Sequence, residues 1–149
     1  MFDSVLSFAD KGIKSYKTLN DSIYVAKCLL FKIRAYIMQE ELEKADSIMI
    51  NNFSLLKRLN SYEIVAGLIK SKKYFQLNQF KLALSSTEEN YIRLNQLHSK
   101  EGSNLRLFFH KEIFLLFKDL GSYKNALEVY EIYSKELSEN KNQQILREQ

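Results

Sequence analysis

The chain contains no proline and only four glycines, so almost nothing in its 149 residues interrupts a helix. Its apolar residues recur at intervals of three and four, which is the period of an α-helix. Polar turn residues punctuate the pattern, as at Asn20-Asp21 and Gly121-Ser122. We therefore expect an all-α fold of about seven antiparallel helices. Their predicted ranges are 2–18, 22–38, 42–58, 62–76, 80–97, 104–119 and 123–147.

One short sequence pattern near the C-terminus, which we call the phrase, recurs in weaker form upstream. Phe117 is followed by Gly121, Ala126 and Tyr130, and both Tyr36 and Tyr74 stand before an alanine in a similar register. The alanines that align in this way are Ala9, Ala45, Ala83 and Ala126. A small alanine lets two helices approach closely, while an aromatic side chain fills the wedge between helix pairs. The register therefore predicts repeated helix hairpins.

This phrase resembles the tetratricopeptide repeat, which places an aromatic late in the first helix, glycine at the turn and alanine early in the second. The resemblance implies helix-turn-helix repeats stacked as a right-handed superhelix. The aligned alanines lie farther apart than the roughly 34 residues of the standard repeat, which implies longer helices. The chain departs from the pattern at Ile33, Ser71 and Phe114, where small residues are usual, and no repeat ends in proline.

The resemblance covers residues 1–140, and residues 141–149 are expected to form a polar helical extension. Long repeats and a Gln-rich last helix, here called the exit helix (residues 123–147), are similar to the sensory regions of bacterial diguanylate cyclases and histidine kinases, in which an output domain follows. That similarity implies a regulatory or sensory part of a signalling protein. The thin apolar stripe of Leu137 and Ile145 is marginal for an isolated helix. The exit helix should therefore project, or pair with a second copy to give a homodimer.

Charge and composition argue against several classes of partner. The formal net charge is +4, and acids and bases are mixed along the chain instead of forming the basic stripe of a nucleic-acid binder. The single cysteine, Cys28, is consistent with a reducing, cytoplasmic compartment. No apolar stretch approaches the length of a membrane span, so we expect no membrane insertion.

No group of residues has the spacing that catalysis requires. His98 and His110 form no metal-ligand pair, and the four scattered glycines cannot build a phosphate-binding loop. Cys28 has no activating base near it in the sequence. We expect no catalytic residue, no metal and no cofactor, and interpret the chain as something other than an enzyme.

The resemblance also implies a binding groove, because the first helix of each tetratricopeptide pair lines the concave face. Carried over, this register places on the groove Lys27, Phe31, Arg34, Leu68, Lys72, Phe75, Phe108, Lys111 and Lys118. An apolar floor with cations suits an acidic amphipathic or extended peptide. In the alternative interpretation, the apolar members are simply core and the cations ordinary surface.

The sequence thus favours a non-catalytic module that binds a protein or peptide. A free-standing adaptor or chaperone-like repeat protein is the alternative within this class. An RNA-binding helical repeat would need the same polar code in every repeat, yet Arg34, Lys72 and Leu115 share one column. An enzyme would need a titratable group in a pocket, for which the sequence offers no candidate.

Overall fold

The computed structural model of the chain describes residues 2–18, 22–97 and 102–148. Within these ranges the fold is all-helical, with eight helices and no β-strand, as the helical periodicity predicts. The helices are α1 (Phe2–Thr18), α2 (Ser22–Met38), α3 (Leu42–Asn51), α4 (Phe53–Leu56), α5 (Tyr62–Gln76), α6 (Phe80–Gln96), α7 (Ser103–Asp119) and α8 (Tyr123–Glu148). None of them combines the length and the apolar character needed to cross a lipid bilayer.

The prediction of a single helix over 42–58 is wrong, because the chain leaves the helical conformation at Asn52. This residue has φ −122° and ψ 27°, and it separates α3 from the short α4. Its side-chain amide donates to the carbonyl of Ile48 at 3.0 Å, where its own backbone N–H also bonds. An asparagine side chain that bonds nearby backbone in this way offers an alternative to continued helix. The described part of the chain therefore has eight helices instead of about seven.

Three turns between helices share one backbone geometry. Glu40, Asn78 and Gly121 each adopt a positive φ, of 59°, 59° and 77°. In each turn, the N–H of the following residue donates at 2.9 Å to the carbonyl of an aromatic residue five positions earlier; these bonds are Glu41 to Tyr36, Gln79 to Tyr74 and Ser122 to Phe117. A left-handed residue with this bond is the Schellman ending of a helix. The recurring sequence phrase therefore corresponds to a recurring turn.

The aligned alanines follow these turns at equivalent positions. The N–H groups of Ala45, Ala83 and Ala126 each donate to the carbonyl of the residue just before their helix, at 2.9 to 3.2 Å. All three are buried, with exposed fractions of 0%, 0% and 4%, and Ala9 is 4% exposed. The predicted burial of these small residues is therefore confirmed.

The chain divides into two compact units, Met1–Ile69 and Lys70–Gln149, and the division falls within α5. In the first unit, α2 contacts α1, α3 and α4, and its inner side carries the buried Ala26, Ile33 and Ile37. The close approach of α1 and α2 depends on Gly12, since a Cβ atom there would lie 2.5 Å from Sγ of Cys28.

In the second unit, α7 packs along α8 and also contacts α6. The largest fully buried side chains here are Phe109, Phe117, Leu94 and Ile113. The buried hydroxyls of Ser71 and Ser86 bond to each other at 2.8 Å and so join α5 to α6. Adjacent helices thus pack as they do in a helical repeat, and the right-handed superhelix stays a prediction.

Candidate binding surface

An exposed face of α2 in the first unit is the strongest candidate for a binding surface. Tyr24, Lys27, Phe31, Arg34 and Met38 recur at intervals of three and four, so they lie on one side of the helix. Tyr24 is 47% exposed, Phe31 53% and Met38 44%, although all three are large and apolar. We call these five residues the α2 face.

A cationic side chain lies over each aromatic ring of the α2 face. The Nζ atom of Lys27 lies 5.5 Å from the centroid of the Tyr24 ring, and Cζ of Arg34 lies 5.3 Å from that of Phe31. Burial lowers the pKa of Arg34, but a guanidinium stays charged at any physiological pH. A cation over the face of a ring at an exposed site is attracted by about 0.5–1 kcal/mol. The α2 face therefore presents apolar and positive groups in a set order.

The predicted groove residues of the first unit divide into two groups. Lys27, Phe31 and Arg34 lie together on the α2 face, whereas Leu68 is 0% exposed and belongs to the core. The projection from the family register missed Tyr24 and Met38. Their spacing contained the signal, because Tyr24, Phe31 and Met38 repeat every seven residues, which keeps side chains on one helix face.

In the second unit, two of the predicted groove residues are exposed cations, Lys111 and Lys118 on α7. Phe108 is 6% exposed and packs against the neighbouring Phe109 at a centroid distance of 5.7 Å, so its ring belongs to the core. Phe75 is half-buried and packs edge-on against Phe80 at 5.4 Å.

The remaining predicted cation, Lys72, lies in an ion pair. Its Nζ atom is 3.0 Å from Oε2 of Glu112, and the two side chains keep exposed fractions of only 16% and 7%. Lys72 thus joins α5 to α7 inside the second unit, and its charge is compensated there. A partly buried pair of this kind contributes structure more than it attracts a ligand.

Among the described residues, the pKa shifts of Tyr91 and Cys28 arise mainly from burial. Burial, with a hydrogen bond at 2.9 Å to Glu128, raises the pKa of Tyr91 to about 12. Burial also raises the pKa of the Cys28 thiol, so the nucleophilic thiolate is disfavoured. His98 lies outside the described residues. Across the ranges that the structure describes, no three His, Cys, Asp or Glu side chains lie close enough together to hold a metal ion.

His110 lies at the interface of α7 and α8 and is 1% exposed. Its Nδ1 atom lies 3.1 Å from Oε1 of Glu136, but the two atoms form no well-aligned hydrogen bond. Burial lowers the pKa of His110, and Glu136 opposes that shift. The charge of Arg106 also lowers this pKa, whereas a hydrogen bond to the Arg106 backbone raises it. The neutral imidazole is therefore the form that this interface accommodates.

Comparison of the chain with protein-family models, with curated proteins and with solved structures finds no match. The tetratricopeptide resemblance stays a prediction, supported by the recurring phrase and the three equivalent turns.

Proposed function

We propose that the chain is a non-catalytic module that binds a protein or peptide, and that the α2 face is its docking surface. The observation that carries this proposal is the run of three large apolar side chains left exposed at seven-residue spacing, two of them covered by cations. Single exposed apolar residues are ordinary on protein surfaces, but an aligned row of them marks an interaction site.

The partner that fits this surface is an acidic amphipathic helix. The distance from Tyr24 to Met38 along α2 is roughly 21 Å, about four helical turns, so a partner helix of similar length can contact the whole row. Its apolar side chains would pack on Phe31 and on the adaptable thioether of Met38. Its carboxylates would approach the exposed Lys27, which favours acidic over basic partners.

The rings should contribute most of the affinity and the cations most of the selectivity. Exposed ion pairs contribute only about 0–1 kcal/mol each. A buried aromatic anchor commonly contributes more than about 1 kcal/mol. Positive charge instead accelerates the approach of an acidic partner, an effect that falls as salt is added.

We also propose that the module is cytoplasmic and regulates a bacterial signalling protein. Support comes from the resemblance to sensory repeat regions and from the single cysteine. A free-standing adaptor is the alternative. Reading the gene beyond the codon for Gln149 distinguishes them, since a signalling protein would continue into an output domain.

The test of peptide binding uses a designed probe. A labelled helical peptide with leucines along one side and glutamates beside them would be titrated with the protein and followed by fluorescence anisotropy. Phe31→Ala should weaken binding by about tenfold or more, because the anchor ring is lost. Lys27→Glu should mainly slow association and reduce its dependence on salt.

Phe8→Ala is the matched control, since Phe8 is a 78% exposed phenylalanine of the same unit that lies on α1. It should leave the affinity unchanged, and a probe with lysines in place of glutamates should bind more weakly. Equal losses in Phe8→Ala and Phe31→Ala would show that the α2 face is not the docking surface.

A further inference from the structure

The outer side of α8 carries a second exposed row, in the other unit of the chain. We define the α8 stripe as Tyr123, Leu127, Tyr130, Ser134, Ser138 and Ile145, which recur at helical intervals with the exposed Lys141 among them. Tyr123 is 71% exposed, Leu127 60% and Ile145 53%. The opposite side of the helix carries the buried Ala126 and Val129. Large apolar side chains left exposed in a row on one side of a helix are typical of an interaction surface.

The middle of the α8 stripe combines a fixed ring with an adjacent hollow. The Tyr130 ring packs against Phe114 of α7 at a centroid distance of 5.3 Å, yet Tyr130 stays 46% exposed. Next to it, the small side chains of Ser134 and Ser138 leave a shallow open hollow of about 450 Å³. Glu131, Lys135 and Glu139 form the rest of its lining.

We propose that α8 pairs antiparallel with α8 of a second copy, with the two helices crossing at Ser134. An antiparallel crossing at one residue places positions before it opposite positions equally far after it. Tyr130 of each copy then faces Ser138 of the other and fills the hollow, while Tyr123 faces Ile145. Near the crossing a large side chain thus meets a small one, so the two helices can approach closely there.

Charge selects the antiparallel over the parallel arrangement. In a parallel pair, Lys141 would face Lys141 of the second copy, and like charges opposite each other are unfavourable. In the antiparallel pair, the aliphatic stem of Lys141 lies along Leu127 of the other copy. Glu131 then faces Leu137 of the second copy, with Lys135 of that copy about 3 Å away along the helix axis, and by symmetry this approach of opposite charges occurs twice.

The exposed apolar surface is sufficient for a modest dimer. The four large side chains of the α8 stripe leave roughly 500 Å² uncovered on each copy. Complete coverage of these side chains would bury about 1,000 Å² in total, at the small end of the range for specific interfaces. The pairing uses a different helix from the α2 face and does not depend on peptide binding.

Sedimentation equilibrium of the full chain over a range of concentrations tests whether the dimer forms. The wild type should show a reversible monomer–dimer equilibrium. Ser134→Glu should weaken it at least tenfold, because two carboxylates would meet at the crossing. Ser85→Glu, at an exposed serine of α6, is the matched control and should leave the dimer intact. A wild type that stays monomeric, or a dimer that survives Ser134→Glu, would overturn the proposal.

A charge exchange tests the register. Glu131→Lys and Lys135→Glu should each weaken self-association, because each creates two like-charge contacts across the seam. Mixing the two variants should restore dimers as heterodimers, since opposite charges then meet at both contacts. Failure of the mixture to associate would exclude the antiparallel register.

Cysteine pairing separates the two orientations. In a Cys28→Ala background, Ser138→Cys alone should form no disulfide dimer, because Ser138 faces Tyr130 in the antiparallel pair. Mixing it with Tyr130→Cys should give a mixed disulfide. Rapid disulfide formation by Ser138→Cys alone would show a parallel pair and overturn the proposal.

Discussion

At the scale of single residues, the three equivalent turns place different residue types in the same left-handed backbone conformation. Gly121 adopts its positive φ without cost, and asparagine tolerates that region at Asn78 better than most residues. Glu40 has the same φ of 59° but carries a Cβ and a long side chain. The turn that contains Glu40 is therefore the one held with the most local strain.

Glu40→Gly should raise the free energy of unfolding by about 1 kcal/mol, because glycine removes the steric cost of the left-handed conformation. Urea unfolding followed by circular dichroism measures the change. Asn78→Gly should give a smaller gain, and Gly121→Ala should lose about 1 kcal/mol. A clear loss of stability in Glu40→Gly would mean that the glutamate side chain stabilises the turn.

At the scale of helices, polar pairs hold the second unit together in addition to apolar packing. Ser71 bonds Ser86 between α5 and α6, and Lys72 pairs with Glu112 between α5 and α7. The pair of His110 and Glu136 adds a contact between α7 and α8 that depends on pH.

His110 should make the protein less stable as the solution is acidified. Its pKa lies below the ordinary value of 6.5 in the folded protein, chiefly because of burial. As the pH falls through 6.5, the unfolded chain takes up a proton before the folded chain does, and stability is lost until the folded pKa is reached. Above that window the contribution is fully retained. Urea unfolding between pH ~5 and ~8 measures the loss.

His110→Gln should remove this part of the pH dependence. Glu136→Gln is the informative companion, because it takes away the charge that opposes the shift and should extend the loss to lower pH. An unchanged pH profile in His110→Gln would assign the acid sensitivity to other groups.

At the scale of the whole molecule, the last turns of α8 should be dispensable for folding. Residues 141–147 are all exposed, and just before them the side-chain amide of Asn140 donates to Oδ1 of Asn104 on α7 at 3.3 Å. A chain that ends at Asn140 should keep its free energy of unfolding within about 0.5 kcal/mol. Its self-association should weaken, since Ile145 can no longer face Tyr123 of the second copy. Unfolding of the shortened chain would place the segment in the core.

The sequence by itself determined the helical fold and most helix boundaries, because absence of proline, periodicity and turn residues act within a few positions of one another. The ranges 22–38 and 62–76 agree with α2 and α5. The burial of Ala45, Ala83 and Ala126 also followed from local register. The break at Asn52 escaped prediction, since it depends on a side-chain bond that competes with an otherwise regular helix.

Only the tertiary structure decided which side of each helix stays uncovered. Phe31 and Phe108 were both projected onto the groove, yet one is 53% exposed and the other 6%. Lys72 and Lys111 are both cations projected onto the groove, but Lys72 is only 16% exposed in its pair with Glu112, whereas Lys111 is exposed. Exposure and charge compensation arise from neighbours that are remote in the chain, so periodicity within one helix cannot specify them.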